Sequence, residues 1–111
     1  MTLEEWLAAL LQIASPTYHE AAFNRFLRQE LARIAPDLEI REVRDSQILQ
    51  WPHVPGKPHL ALVGHSDVVP AWFEPHRVGD AFYGAGASDM KGALASFFYL
   101  LERWGRELTA R

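Results

Sequence analysis

The stretch LVGHSDVVP, Leu62 to Pro70, ends an apolar run with a histidine and an aspartate two residues apart. Residues i and i+2 of a strand point to the same face. His65 and Asp67 therefore project together where the chain leaves the strand. The run before them, HLALVG from His59 to Gly64, is short and apolar and predicts an interior strand. Polar groups at the end of such a strand need a partner, and that points to binding.

Upstream, Thr2 and Glu5 form a T-x-x-E capping box. Leu3, Trp6, Leu7, Leu10 and Leu11 then recur at helical spacing. This helix must stop before Pro16, because the residue ahead of a proline disfavours helical geometry. A second helix is expected from about Tyr18 to Ile34, with Phe23, Phe26, Leu27, Leu31 and Ile34 as its stripe. LEIREVR, Leu38 to Arg44, reads as a half-exposed strand, and SQILQW, Ser46 to Trp51, as its hairpin partner. PHVPGKP, Pro52 to Pro58, is a loop.

Downstream, a turn at Gly79-Asp80 precedes a short strand, Ala81 to Tyr83. A last helix is expected from about Lys91 to Trp104, with Leu94, Phe97, Phe98, Leu101 and Trp104 on one face. Helices before and after strands indicate an α/β fold with helices packed on a layered sheet. No strand follows the last helix, so the sheet looks begun rather than complete.

The composition narrows the function. The 111 residues suit one domain, and 49% are apolar, enough for a core. The formal charge is −3, and no cluster of basic residues forms a nucleic-acid footprint. There is no cysteine, which excludes disulfides and thiolate metal sites. The N-terminus carries acids where a secretory signal would carry basic residues, and no apolar run approaches a membrane span. The expectation is a cytoplasmic protein without nucleic-acid or membrane partners.

Imidazole is a common zinc ligand, and a ligating ring usually hands its other N–H to a carboxylate or carbonyl. Asp67 could supply that contact to His65, or it could bond local amides in a turn. In YGAGASDMKG, Asp89 sits between a glycine-rich turn and a helix. It could cap that helix, as could Ser88. A dinucleotide loop is disfavoured, because Asp89 stands where G-x-G-x-x-G needs its third glycine and would repel a pyrophosphate. Lys91-Gly92 lacks the upstream glycine spacing of a phosphate loop. Together, His65, Asp67 and Asp89 can converge at the carboxyl edge of a sheet, where ligands of open α/β sheets bind. Three such residues fall short of a closed zinc site.

GHSDVVP followed by GAGASDMKG resembles the two N-terminal signatures of the M20 family of zinc metallopeptidases and deacylases. The resemblance implies a three-layer αβα catalytic domain of the zinc-exopeptidase type, with helices on a mixed sheet. It implies that His65 binds one zinc, that Asp67 orients His65 as a catalytic residue, and that Asp89 bridges two zincs, with cobalt or manganese as substitutes. The Asp89–Met90 peptide would be cis. The implied reaction is hydrolysis of an amide in an N-acyl amino acid or small peptide. The family's general base belongs to a Glu-Glu pair roughly 30 residues past the bridging aspartate, which residues 1–111 do not contain. These residues are therefore expected to be the N-terminal portion of the catalytic domain, inactive alone. A lid domain that carries a homodimer interface would lie elsewhere.

Two departures bear on the substrate. Ala85 stands where the family often has arginine, and only 22 positions separate Asp67 from Asp89, which leans toward lysine- and ornithine-releasing hydrolases. Glu102 and Glu107 are the acids after Asp89, and neither is assigned as a base. Glu102 is expected on a solvated helix face. His19, His53 and His59 read as helix-start and loop residues, and His76 as a loop residue between the motifs. Trp6, Trp51, Trp72 and Trp104 read as core or loop anchors.

Overall fold

The computed structural model describes residues 1–110, without the side chains of residues 106 and 108–110. Helix α1 spans Leu3–Leu11, and its capping box forms as expected: the Thr2 hydroxyl accepts from the Glu5 amide while the Glu5 carboxylate accepts from the Thr2 amide. Such a cap contributes about 1 kcal/mol. Helix α2 spans Ala21–Ile34, three residues later than expected at its start. The reason is local. Pro16 to His19 makes a turn, with the His19 amide donating to the Pro16 carbonyl at 2.8 Å, and Tyr18 takes a positive φ of 71°.

Strands β1, Glu39–Val43, and β2, Ser46–Gln50, pair as the expected antiparallel hairpin, with Ile40 opposite Leu49. The hairpin lies along α2. Asn24 donates to the Asp45 carbonyl, Gln47 donates to the Asn24 carbonyl, and Arg28 pairs with Glu42. A second hairpin joins β3, His76–Val78, to β4, Ala81–Tyr83, across the expected turn at Gly79-Asp80. Here His76, expected in a loop, opens a strand.

Helix α3 spans Gly92–Ala110 and runs past Trp104. Its buried line keeps Phe98 of the expected stripe, with Leu94 and Leu101 packed against the core, but is centred elsewhere. Ala95 and Phe98 are buried, and Lys91 and Gly105 share their side, whereas Trp104 is 44% exposed. Trp6 of α1 meets Phe98 of α3 with ring centroids 4.8 Å apart. Phe23, Leu27 and Leu31 of α2 complete a core that continues into Ala35 and Leu38. Trp51 packs over Gly105 and so anchors the first hairpin to α3.

The helices and small antiparallel sheets make the chain α/β, as expected. The segment His59 to Gly64 differs: it forms no strand, and Leu60 and Val63 are more than 80% exposed. A strand exists only where neighbours close its hydrogen-bond ladder. Among the described residues no strand pairs with this segment. The one parallel pairing nearby is a bridge between Pro16 and Val68. No helix of the described residues is long and apolar enough to cross a membrane.

Candidate metal centre

His65 lies just after residues 59–64, and the chain past it is clamped. The Val68 amide donates to the Ser15 carbonyl at 2.8 Å, and the Thr17 amide donates to the Val68 carbonyl at 3.0 Å. The second half of the site approaches through glycine. Gly86 has a φ of 80°, and a Cβ on it would lie 2.2 Å from Val68 Cγ1. Leu11, at the end of α1, packs in the same way on Gly84. These two glycines let Val68 and Leu11 press against the second motif.

After Gly86 the backbone makes a wide turn over Ala87–Lys91 before α3 begins. The Lys91 amide donates to the Gly86 carbonyl at 2.8 Å. Asp89 and Met90 leave helical geometry within this turn, and their shared peptide is cis, as the family resemblance implied. Asp89 caps no helix. Its side chain is 86% exposed and turns toward His65.

The three expected residues come together. His65 Nε2 lies 2.9 Å from Asp89 Oδ1, across 24 residues of chain. On the other side of the ring, Nδ1 lies 3.0 Å from the Asp67 carbonyl and 3.2 Å from Asp67 Oδ1. Asp67 Oδ2 accepts from the Thr17 hydroxyl at 2.9 Å. The His65 amide donates to Met90 Sδ at 3.2 Å, a further tie between the motifs.

The electrostatics of the pair suit a cation. Desolvation works against a charged imidazole. The Asp67 carbonyl and the Asp89 and Asp67 carboxylates outweigh it, so the His65 pKa is raised above 6.5. A neutral imidazole has one proton. With that proton on Nδ1, directed at Asp67, Nε2 presents a lone pair to the Asp89 carboxylate. Two acceptors so close repel unless a proton or a metal ion lies between them. Imidazole nitrogen and carboxylate oxygen are both donors that zinc accepts. They are two of the four it needs, and among the described residues no group of three or more His, Cys, Asp or Glu side chains could hold a metal ion.

The other histidines lie elsewhere. His76 stacks on Tyr83 with centroids 5.0 Å apart, and His53 stacks on His59 at 4.3 Å. Glu102 is not on a solvated face as expected. It accepts from Trp6 Nε1 at 3.1 Å and from the N-terminal amine at 2.7 Å. Those bonds hold its pKa below the usual 4.5, led by the amine and opposed by desolvation.

Sequence reasoning missed Thr17 and Lys91. Lys91 is 1% exposed, with its ammonium donating to the Ile13 carbonyl and lying 4.4 Å from the Phe23 ring centre. Desolvation pushes its pKa down to about 8. The signal was its spacing: residues 91, 95 and 98 share one helix face. For Thr17, two hydroxyl residues flanking Pro16 between helices were the available hint.

The sequence pattern of peptidase family M20/M25/M40 matches residues 61–111, which include His65, Asp67 and Asp89. The chain is 35% identical over 104 residues to the succinyl-diaminopimelate desuccinylase of Xylella fastidiosa (strain M12), covering 86% of this chain and 28% of that one. It is 47% identical over 57 residues to the protein of the same name from Rhizorhabdus wittichii, covering 45% and 15%. A protein of Thermococcus kodakarensis named for LysW-lysine/LysW-ornithine hydrolysis is 34% identical over 97 residues, covering 86% and 27%. The expected lean toward the lysine- and ornithine-releasing hydrolases finds no support in identities this close. The chain spans at most 28% of the length of these relatives. No solved structure matches it. With both signatures inside the matched residues, the chain carries the sequence pattern of peptidase family M20/M25/M40.

Proposed function

We propose that residues 1–111 are the N-terminal portion of the catalytic domain of a metal-dependent amide hydrolase acting on N-acyl amino acids or small peptides. The observation that carries this is the 2.9 Å approach of His65 Nε2 to Asp89 Oδ1, the two candidate ligands of the two motifs. In this reading His65 and Asp89 hold zinc in a two-ion site, with cobalt or manganese as substitutes. The whole domain is a three-layer αβα structure whose mixed sheet takes in residues 59–64.

Each residue has a task. His65 offers Nε2 as a donor. Asp67 accepts from Nδ1–H, which fixes the tautomer and the ring plane and raises the basicity of Nε2. Asp89, with one oxygen toward His65 and the other free, can span two ions. A bound metal supplies Lewis acidity toward the scissile carbonyl and a lowered pKa for water. The general base is assigned outside residues 1–111, since Glu102 is engaged by Trp6. The desuccinylase and LysW-hydrolase relatives favour an N-acylated amino acid, such as an N-succinyl one, as substrate.

In the full-length protein, His65→Ala or Asp89→Ala is expected to remove about 4 kcal/mol of transition-state stabilisation. That is a fall in kcat/KM on the order of 10³-fold on an N-succinyl amino acid. Turnover retained in either variant overturns the reading.

A further inference from the structure

The segment Ser15-Pro16-Thr17 leads from α1 into the turn before α2. Its contacts converge on one place. Ser15, fully buried, donates its hydroxyl to the Ser66 carbonyl at 2.6 Å. The Ser15 carbonyl accepts from the Val68 amide, and the Thr17 amide donates to the Val68 carbonyl. The residues on both sides of Asp67 are thus tied to this segment. The Asp67 side chain, itself 40% exposed, receives its bond from Thr17.

The Thr17 hydroxyl has one proton and two acceptors in reach, Asp67 Oδ2 at 2.9 Å and the Val68 carbonyl at 3.3 Å. The nearer acceptor is also the charged one, and hydrogen bonds to ionised acceptors are the stronger. With Oδ2 held, Oδ1 faces His65 Nδ1. Without it, a carboxylate this exposed turns to water at little cost. The ring would then be held on that side only by the Asp67 carbonyl.

We propose that Thr17 is a positioning residue, whose hydroxyl fixes the Asp67 carboxylate, which fixes the His65 ring and so sets how tightly His65 and Asp89 hold a divalent cation. This rests on the metal reading above, and Thr17 touches neither metal nor substrate.

The test uses the full-length protein stripped of metal, with zinc affinity measured by competition against a chromophoric chelator. Thr17→Val keeps the shape and removes the hydroxyl; it is expected to weaken zinc binding about 10-fold, as losing a ligand's hydrogen-bond support does. Thr17→Ser restores the hydroxyl and is expected to bind within about twofold of the wild type. In an Asp67→Ala background Thr17→Val is expected to cost nothing further. Wild-type affinity in Thr17→Val, or a full loss that persists in the Asp67→Ala background, overturns the proposal. A second readout needs neither zinc nor a variant. In the metal-free wild type, NMR is expected to show the Thr17 hydroxyl and His65 Nδ1 protons exchanging slowly with water. Fast exchange of the hydroxyl proton overturns the relay. If the wild type takes up no zinc while both protons are protected, the metal reading fails and the relay stands.

Discussion

Val68 Cγ1 occupies the space that a side chain on Gly86 would need, since a Cβ there would lie only 2.2 Å away. Val68 follows Asp67, and Gly86 opens the turn that carries Asp89. The contact is where the two motifs lock. Gly86→Ala meets two penalties. Its φ of 80° costs an L-residue roughly 1–2 kcal/mol, and overpacking against Val68 adds roughly 1–3 kcal/mol. Urea unfolding is expected to show a loss of about 2–5 kcal/mol. Adding Val68→Ala is expected to recover the overpacking part and leave the backbone part. A loss below about 1 kcal/mol would contradict the packing described.

Lys91 is expected to matter for stability as much as an apolar core residue. Its stem is buried and its ammonium satisfies the Ile13 carbonyl just past α1. Lys91→Ala leaves both a cavity and an orphaned carbonyl, and thermal or urea unfolding is expected to show a loss of about 2–5 kcal/mol. Lys91→Met keeps the stem and is expected to lose less. Equal losses in the two variants would show that the ammonium, not the packing, dominates.

Glu102 gives a pH dependence with a definite sign. Its folded-state pKa lies below the ordinary 4.5 because the N-terminal amine and Trp6 donate to its carboxylate. The unfolded state therefore takes up the proton first as pH falls. The stabilisation is complete above about pH 4.5 and is lost as pH drops through the folded pKa. Unfolding curves between about pH 6 and pH 3 should fall more steeply for the wild type than for Glu102→Gln. Parallel curves would remove Glu102 from the acid response.

Metal linkage is measurable without substrate. At a free zinc concentration 100 times Kd, binding adds about 2.7 kcal/mol to the stability of the full-length protein. Its Tm is expected to rise with zinc and to fall back with a chelator. His65→Ala is expected to reduce the rise sharply, because it removes one of the donors facing Asp89. An unchanged rise in that variant would place the ion elsewhere.

The parts of the fold legible in the sequence were those decided locally. The Thr2–Glu5 cap, the β1–β2 hairpin and the turn at Gly79-Asp80 all depend on neighbours a few residues away. The meeting of His65 with Asp89 was legible through spacing and resemblance together. What was not legible depends on the tertiary surroundings. The α3 stripe was drawn through Leu94, Phe97, Phe98, Leu101 and Trp104 by hydrophobicity, and of these Phe98 is buried and Trp104 is exposed. The helix instead turns Lys91 and Ala95 inward, because the space beside α1 admits a small residue and a lysine stem. Glu102 faces inward for a related reason: the Trp6 indole N–H needs an acceptor. Residues 59–64 carry the composition of a strand, but composition cannot supply a neighbour.

That last segment has a practical consequence for anyone making the protein. Leu60, Leu62 and Val63 stand exposed on backbone that no ladder claims among the described residues. Such a stretch is a template for intermolecular pairing. Residues 1–111 handled alone are expected to associate in a concentration-dependent way, and a soluble preparation will need that segment covered.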